Sequence, residues 1–174
     1  MPGNLREYSV KNIISVLGYM PEDYIDINIE KQHLNYYTKH NTAHFHVSTS
    51  QFGVGSAANS FKTPLGVHCI TEKIGDGFPS GTIFKSRKST GEIWHPGIDR
   101  ENLILSRILR LKGLQPGINS GRGIDSYDRY IYIHGTNREE DIGTPISHGC
   151  ICMKNDDIIT LFDLVREGTI VTVS

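Results

Sequence analysis

Ile131-Tyr132-Ile133-His134-Gly135-Thr136, followed a little later by Ser147-His148-Gly149-Cys150, brings a histidine to the end of an apolar strand and a cysteine into a small turn. Cysteine-based acyl transfer needs those parts. A thiol is mostly protonated at neutral pH, so a nearby imidazole must take its proton or pair with the thiolate. Gly149 lets the turn bend sharply and opens backbone N–H groups to a developing oxyanion. Cys150 is therefore the candidate nucleophile and His134 its candidate base.

Outward from that strand, Tyr130–His134, the chain reads as short strands separated by turns. Tyr24–Glu30 alternates apolar and polar residues, the period of a half-buried strand, and Gln32–Tyr37 and Ala43–Ser48 follow it in the same manner. Residues 51–60 are small and glycine-rich and read as a loop. Thr63-Pro64 and Gly66 mark a tight turn before a strand over Val67–Glu72. Residues 74–92 are rich in turn formers, which predicts a hairpin ending near Ile93-Trp94. Leu103–Leu111 has leucines that suit a helix, yet Leu103, Leu105, Leu109 and Leu111 alternate and Gly113 and Pro116 soon follow, so a strand is expected. Asn155 is the expected N-cap of a helix with Asp156 and Asp157 at its positive end and Gly168 as its stop. Thr169–Val173 reads as a final strand. Near the start, Val10–Met20 predicts a short helix that ends before Pro21.

With 174 residues the chain is long enough to bury a core as one domain. Eighteen basic residues against nineteen acidic ones, with no basic stripe, argue against a nucleic-acid partner. Three cysteines (Cys69, Cys150 and Cys152) cannot form a complete disulfide framework, and Cys69 reads as a packing residue. No signal peptide is seen, and no apolar run approaches a transmembrane length. Gly53-Val-Gly55 lacks the strand-to-helix setting of a phosphate loop. His33, His40, His44, His46, His68 and His95 read as surface or strand-face residues; His44 and His46 share one face, as metal ligands or simple surface alternation would both produce.

His134-Gly-Thr-Asn137, Ile142-Gly-Thr-Pro-Ile-Ser-His-Gly-Cys150-Ile151 and Met153 resemble the catalytic motif of the L,D-transpeptidases, the YkuD-type domain. Ile25–Leu34 resembles the family's opening hairpin, Val47–Thr49 its next strand and Lys62–Gly66 its turn, so the resemblance spans about Tyr24 to Val173. It implies a mainly β fold, a sandwich of mixed sheets with a few short helices. Residues 1–23 would then be a short helical extension and 24–174 the catalytic domain. It also implies a bacterial enzyme of the cell wall or periplasm that acts on peptidoglycan stem peptides. Cys150 would cleave between the third stem residue, usually diaminopimelate, and the D-alanine that follows it through a thioester, forming 3→3 cross-links. Water in place of the amine acceptor would make it an L,D-carboxypeptidase. In this scheme the Gly135 carbonyl orients His134, backbone N–H groups of His148, Gly149 and Cys150 form the oxyanion hole, and Ser147 and the His148 side chain shape the cleft. The resemblance implies no metal and no organic cofactor.

The chain departs from the family two residues after the nucleophile, where an arginine is usual and Cys152 stands. A guanidinium there would support the thiolate or hold a stem carboxylate. Arg122, Arg129, Arg138 and Lys154 are the cations close enough in sequence to replace it. Two other readings stand beside the enzyme. One is a zinc set of His134, His148, Cys150 and Cys152; the other is a domain that binds wall peptides without reacting.

Overall fold

The computed structural model describes residues 5–98 and 102–174. Along the chain run α1 (Leu5–Leu17), β1 (Tyr24–Asn28), β2 (His33–Tyr37), β3 (Thr42–His46), β4 (Gly66–Ile74), β5 (Thr82–Lys85) and β6 (Lys88–Ile93). Then come β7 (Ile104–Gly113), β8 (Tyr132–Gly135), β9 (Ile151–Met153), α2 (Asn155–Leu164) and β10 (Ile170–Val173). The fold is mainly β, as the sequence predicts. The alternating segments all become strands, including Leu103–Leu111, and the hairpin expected after residue 74 forms from β5 and β6.

Hydrogen bonding links the strands in the order β3-β2-β1-β10-β4-β7-β5-β6, with β8 beside β7 and β9 beside β8. The sheet is mixed: β1–β10 and β8–β9 are parallel, and the other pairs are antiparallel. β7 is the branch point, pairing with β4, β5 and β8. Its register with β8 shifts between Leu105 and Ile108, where Ser106 adopts φ 67°. Such a bulge bends the strand, and it lets Leu105, Ile108, Leu109 and Leu111 all be fully buried. The main core joins Ile25, Ile27, Val171 and Val173 of one arm to Leu109, Ile133, Ile151 and Met153 of the other, with Ile158, Leu161 and Phe162 of α2 packed among them.

Two local expectations are corrected. The first helix begins earlier than Val10, and it ends before Met20 because Gly18 adopts φ 78° and its N–H closes on the Ile14 carbonyl at 2.8 Å. It packs through Ile13 on Tyr24, Val67 and Ile170, and Ser9 Oγ donates to the buried Asp26 carboxylate at 2.7 Å. Asn155 is not the N-cap of α2 but its first helical residue; Lys154 holds the cap position without a side-chain cap. The Glu139 carboxylate, distant in sequence, instead accepts the Asn155 N–H at 2.6 Å. His68, read as a surface or strand-face residue, lies on β4 and is fully buried, with Nδ1 on the Gly66 carbonyl at 3.0 Å and Nε2 on Ser126 Oγ at 2.9 Å. Burial lowers its pKa to about 4.

Candidate active site

The cysteine turn is held from three sides. Val47–Ser50 leaves β3 and runs along β9, exchanging hydrogen bonds between Ser48 and Cys152 at 2.9 and 2.8 Å. The same segment accepts the Ser147 N–H on the Thr49 carbonyl at 3.0 Å, and Thr63 Oγ1 donates to the Gly149 carbonyl at 3.0 Å. Inside the turn, Ser147 Oγ donates to the Cys150 carbonyl at 2.5 Å and accepts the Gly149 N–H at 3.2 Å. Gly149 has φ 121°, and a Cβ there would lie 3.3 Å from both Ile131 Cδ1 and the Lys62 carbonyl. Glycine is needed for conformation and for space.

Of the three amides expected to form an oxyanion hole, Gly149's is thus committed to Ser147. Those of His148 and Cys150 have no partner among the described residues. Ser147 therefore builds the turn itself. The His148 ring is exposed, accepts from Asn102 Nδ2 at Nδ1 at 3.0 Å, and lies against Phe52 and Phe61 with centroids 5.3 and 5.6 Å away.

His134 sits on β8, between β7 and β9, almost wholly buried. Its Nδ1 is 2.7 Å from the Gly135 carbonyl. A carbonyl only accepts, so the proton resides on Nδ1 and Nε2 offers a lone pair. Burial lowers the imidazole pKa to about 4 against the raising effect of that carbonyl. A Cβ on Gly135 would fall 2.5 Å from Asn155 Oδ1 and 2.6 Å from the Leu105 carbonyl. Asn155 in turn is fixed by Ser106 Oγ at 2.6 Å, the Thr136 carbonyl at 3.0 Å and Glu139 at 2.7 Å. This supporting group of Asn155, Ser106 and Glu139 was not anticipated from sequence; the mid-strand Ser106 and the acidic Glu139 carry no local pattern that marks them.

His134, Cys150, Cys152, Ser147, His148 and Thr136 all line one cavity of about 160 Å³. Within it the sulfur that meets the base is not the expected one. Cys152 Sγ lies 3.8 Å from His134 Nε2. Cys150 Sγ instead donates to the Tyr130 carbonyl and accepts the Tyr132 N–H, both at 3.4 Å. The parallel register explains this, since His134 is paired with Cys152 across β8 and β9. Burial raises the Cys150 thiol to about 11, partly offset by the Tyr132 N–H and by Arg129; burial raises Cys152 also. The resting site is a neutral imidazole with two protonated thiols.

Among the described residues no group of three or more His, Cys, Asp or Glu is arranged to hold a metal ion, so His134, His148, Cys150 and Cys152 share a cavity without forming a zinc cage. His44 and His46 are exposed on β3; His44 meets Asn35 at 2.6 Å and His46 packs edge-on against His33 at 4.7 Å. Cys69 is free and half-buried. No described helix is long and apolar enough to cross a membrane.

The L,D-transpeptidase catalytic domain family, YkuD, matches residues 22–173. "Probable L,D-transpeptidase YcfS" of Escherichia coli is 26% identical over 91% of this chain and 46% of its own length. "Probable L,D-transpeptidase ErfK/SrfK" of Salmonella typhimurium is 36% identical over 48% of this chain and 28% of its own. The chain thus spans less than half the length of these curated relatives. Among solved structures, an L,D-transpeptidase from Mycobacterium smegmatis superposes with a TM-score of 0.55 at 18% identity, over 88% of this chain and 58% of that one. The catalytic domain of an Enterococcus faecium L,D-transpeptidase acylated by ertapenem gives 0.53 at 21% identity, over 90% of this chain and all of that one. The fold is shared with these, and the match over residues 22–173 makes this chain a member of the L,D-transpeptidase catalytic domain family.

Proposed function

We propose that the domain is a cysteine acyltransferase acting on peptidoglycan stem peptides, with Cys150 as nucleophile and His134 as general base. The observation that carries this reading is the neutral His134, locked by Gly135 with Nε2 turned into the cavity that Cys150 also lines. Family membership supports a role in modifying the bacterial cell wall.

In the proposed reaction the stem enters the cavity with the carbonyl of its third residue over Cys150. The thiol swings from the Tyr130 and Tyr132 backbone, and its proton passes to His134 Nε2 as sulfur bonds to the carbonyl carbon. The His148 and Cys150 amides receive the oxyanion; losing one such donor typically costs about 2.7–4 kcal/mol of transition-state stabilisation. The imidazolium formed is held by the Gly135 carbonyl, and it returns the proton to the amine of the departing terminal D-alanine. A thioester remains on Cys150. The side-chain amine of a second stem attacks it, His134 takes the amine's proton and passes it to the departing sulfur, and the Cys150 thiol is restored with a 3→3 peptide bond formed.

Incubation with a disaccharide-tetrapeptide, read by mass spectrometry beside Cys150→Ala, tests the reading. A cross-linked dimer lacking one D-alanine is expected, with a transient thioester on Cys150. Tripeptide alone would assign water as the acceptor. Absence of product and of any adduct on Cys150 would refute acyl transfer and favour a domain that only binds wall peptides.

A further inference from the structure

Four cations lie near the cysteine turn in sequence, and their surroundings separate them. Arg138 is ion-paired with Asp141 at 2.8 Å, while Arg122 and Lys154 are exposed. Arg129 is half-buried and held only by neutral acceptors: the Lys62 carbonyl at 2.7 Å, the Gly55 carbonyl at 3.2 Å and Ser60 Oγ at 3.4 Å. Among the described residues no carboxylate forms an ion pair with it. The exposed Asp128 lines the same cavity without pairing to it.

That cavity, of about 350 Å³, is bounded by Ala58, Asn59, Phe61, Arg129, Tyr130 and His148. It adjoins the nucleophile, because Tyr130 supplies the carbonyl on which the Cys150 thiol rests and His148 lines both this cavity and the smaller one holding Cys150. Arg129 and Cys150 feel each other's charge, and burial disfavours the charged guanidinium. Neutral carbonyls compensate a desolvated cation only in part. They do fix the fork in place, and these three contacts do not exhaust its donors. A positioned, unneutralised guanidinium with its Nε–H and one Nη1–H still undonated suits a carboxylate, which accepts a charge-assisted hydrogen bond from it.

We propose that Arg129 is the receptor for a substrate carboxylate, seating the stem in this second cavity while its scissile carbonyl faces Cys150. The inference rests on the stem-peptide reading above. Two stem carboxylates have the required chemistry: that of the terminal D-alanine and the side-chain one of a diaminopimelate at the third position.

The test compares turnover of the free-acid tetrapeptide with two amidated forms, one blocked at the terminal D-alanine and one at the side chain of the third residue, in the wild type, Arg129→Gln and Arg129→Lys. Amidation of the carboxylate that Arg129 holds should lower wild-type kcat/KM at least about tenfold. Arg129→Gln should lose as much on the free acid and nothing further on that amide, and Arg129→Lys should recover part of it. The position of the sensitive amide identifies the source. Binding of the same peptides to Cys150→Ala, with and without Arg129→Gln, is measured by calorimetry. If the wild type turns over no peptide but Arg129 still governs carboxylate binding, the proposed reaction fails and the receptor stands. Turnover indifferent to amidation, or an Arg129→Gln variant that distinguishes acid from amide as the wild type does, overturns the receptor. So does the absence of both turnover and binding. If Arg129→Gln fails to fold, the Arg129→Lys variant and the wild-type response to the amides decide alone.

Discussion

Raising the pH should awaken Cys150 slowly and without a plateau below pH 9. Burial places its thiol at about 11, so at pH 7 about one molecule in 10,000 carries the thiolate, against roughly 3% for an ordinary cysteine. On that ground alone alkylation is about 300-fold slower; the greater nucleophilicity of a more basic thiolate recovers about tenfold. The net expectation is a thiol about 30-fold less reactive than a free one at pH 7, gaining nearly tenfold per pH unit. An imidazolium cannot supply a resting ion pair, because His134 lies at about 4. Burial pushes the two groups apart in pKa and so disfavours an ion pair in the empty site. In the proposed reaction the proton moves together with carbon–sulfur bond formation, when the thiolate no longer exists as such. The groups facing Cys150 are Arg129, Tyr132, Cys152, His134 and His148, and the Arg129 guanidinium works against burial by lowering the thiol's pKa. The assay is iodoacetamide alkylation at a series of pH values, with Cys150 followed by peptide mass spectrometry apart from Cys69 and Cys152. A rate that levels off between pH 5 and 8 would mean a thiolate–imidazolium pair and would refute this account.

Acid should unfold the domain: buried neutral His68 and His134 both stand at about 4, below an unfolded value of about 6.5. Their contribution is present above that value and is lost as pH falls toward 4, on the order of 3 kcal/mol each, measurable as a falling urea midpoint that His68→Gln should flatten. Gly135→Ala should destabilise by about 2 kcal/mol or more, because the new methyl meets Asn155 Oδ1 and the Leu105 carbonyl; an unchanged melting temperature would contradict the packing described. Cys152→Ala should retain acyl transfer, since the sulfur it removes is not the proposed nucleophile, and loss of all product would give Cys152 a chemical role. Cys152→Arg should fail to raise turnover, because a guanidinium beside Nε2 would make His134 still less basic.

The strands were legible because their signal is local. Period-two alternation in Tyr24–Glu30 and the turn residues around Gly66 need no distant partner. Leu103–Leu111 was legible as a strand but not as the bulged branch point, since the bulge at Ser106 depends on β5 and β8 both pairing with β7. Asn155 looked like a cap because asparagine caps helices from its own side chain. Here a carboxylate from Glu139 takes that place, and Asn155 is drawn down beneath Gly135. His68 was legible as a surface or strand-face residue but not as a buried one, because alternation does not reveal when both faces of a strand are covered. The cleft residues were legible as types in a motif. Which cation would face the thiol depended on tertiary placement, and so did the partner of His134.

That last point follows from strand register. In β8 and β9 side chains repeat every second residue, so a parallel pair that sets Cys152 opposite His134 must leave Cys150 one repeat away, beside Tyr132. Nδ1–H is given to Gly135, so Nε2 can only accept, and the Cys152 thiol is its resting donor. In the proposed reaction Cys150 Sγ must leave Tyr130 and Tyr132, and the Cys152 S–H must yield Nε2. Each breaks only long sulfur hydrogen bonds of 3.4–3.8 Å, weak enough for substrate contacts at Arg129 and the oxyanion amides to offset. In the proposed reaction position 152 thus acts through the base, by setting what His134 touches before substrate arrives.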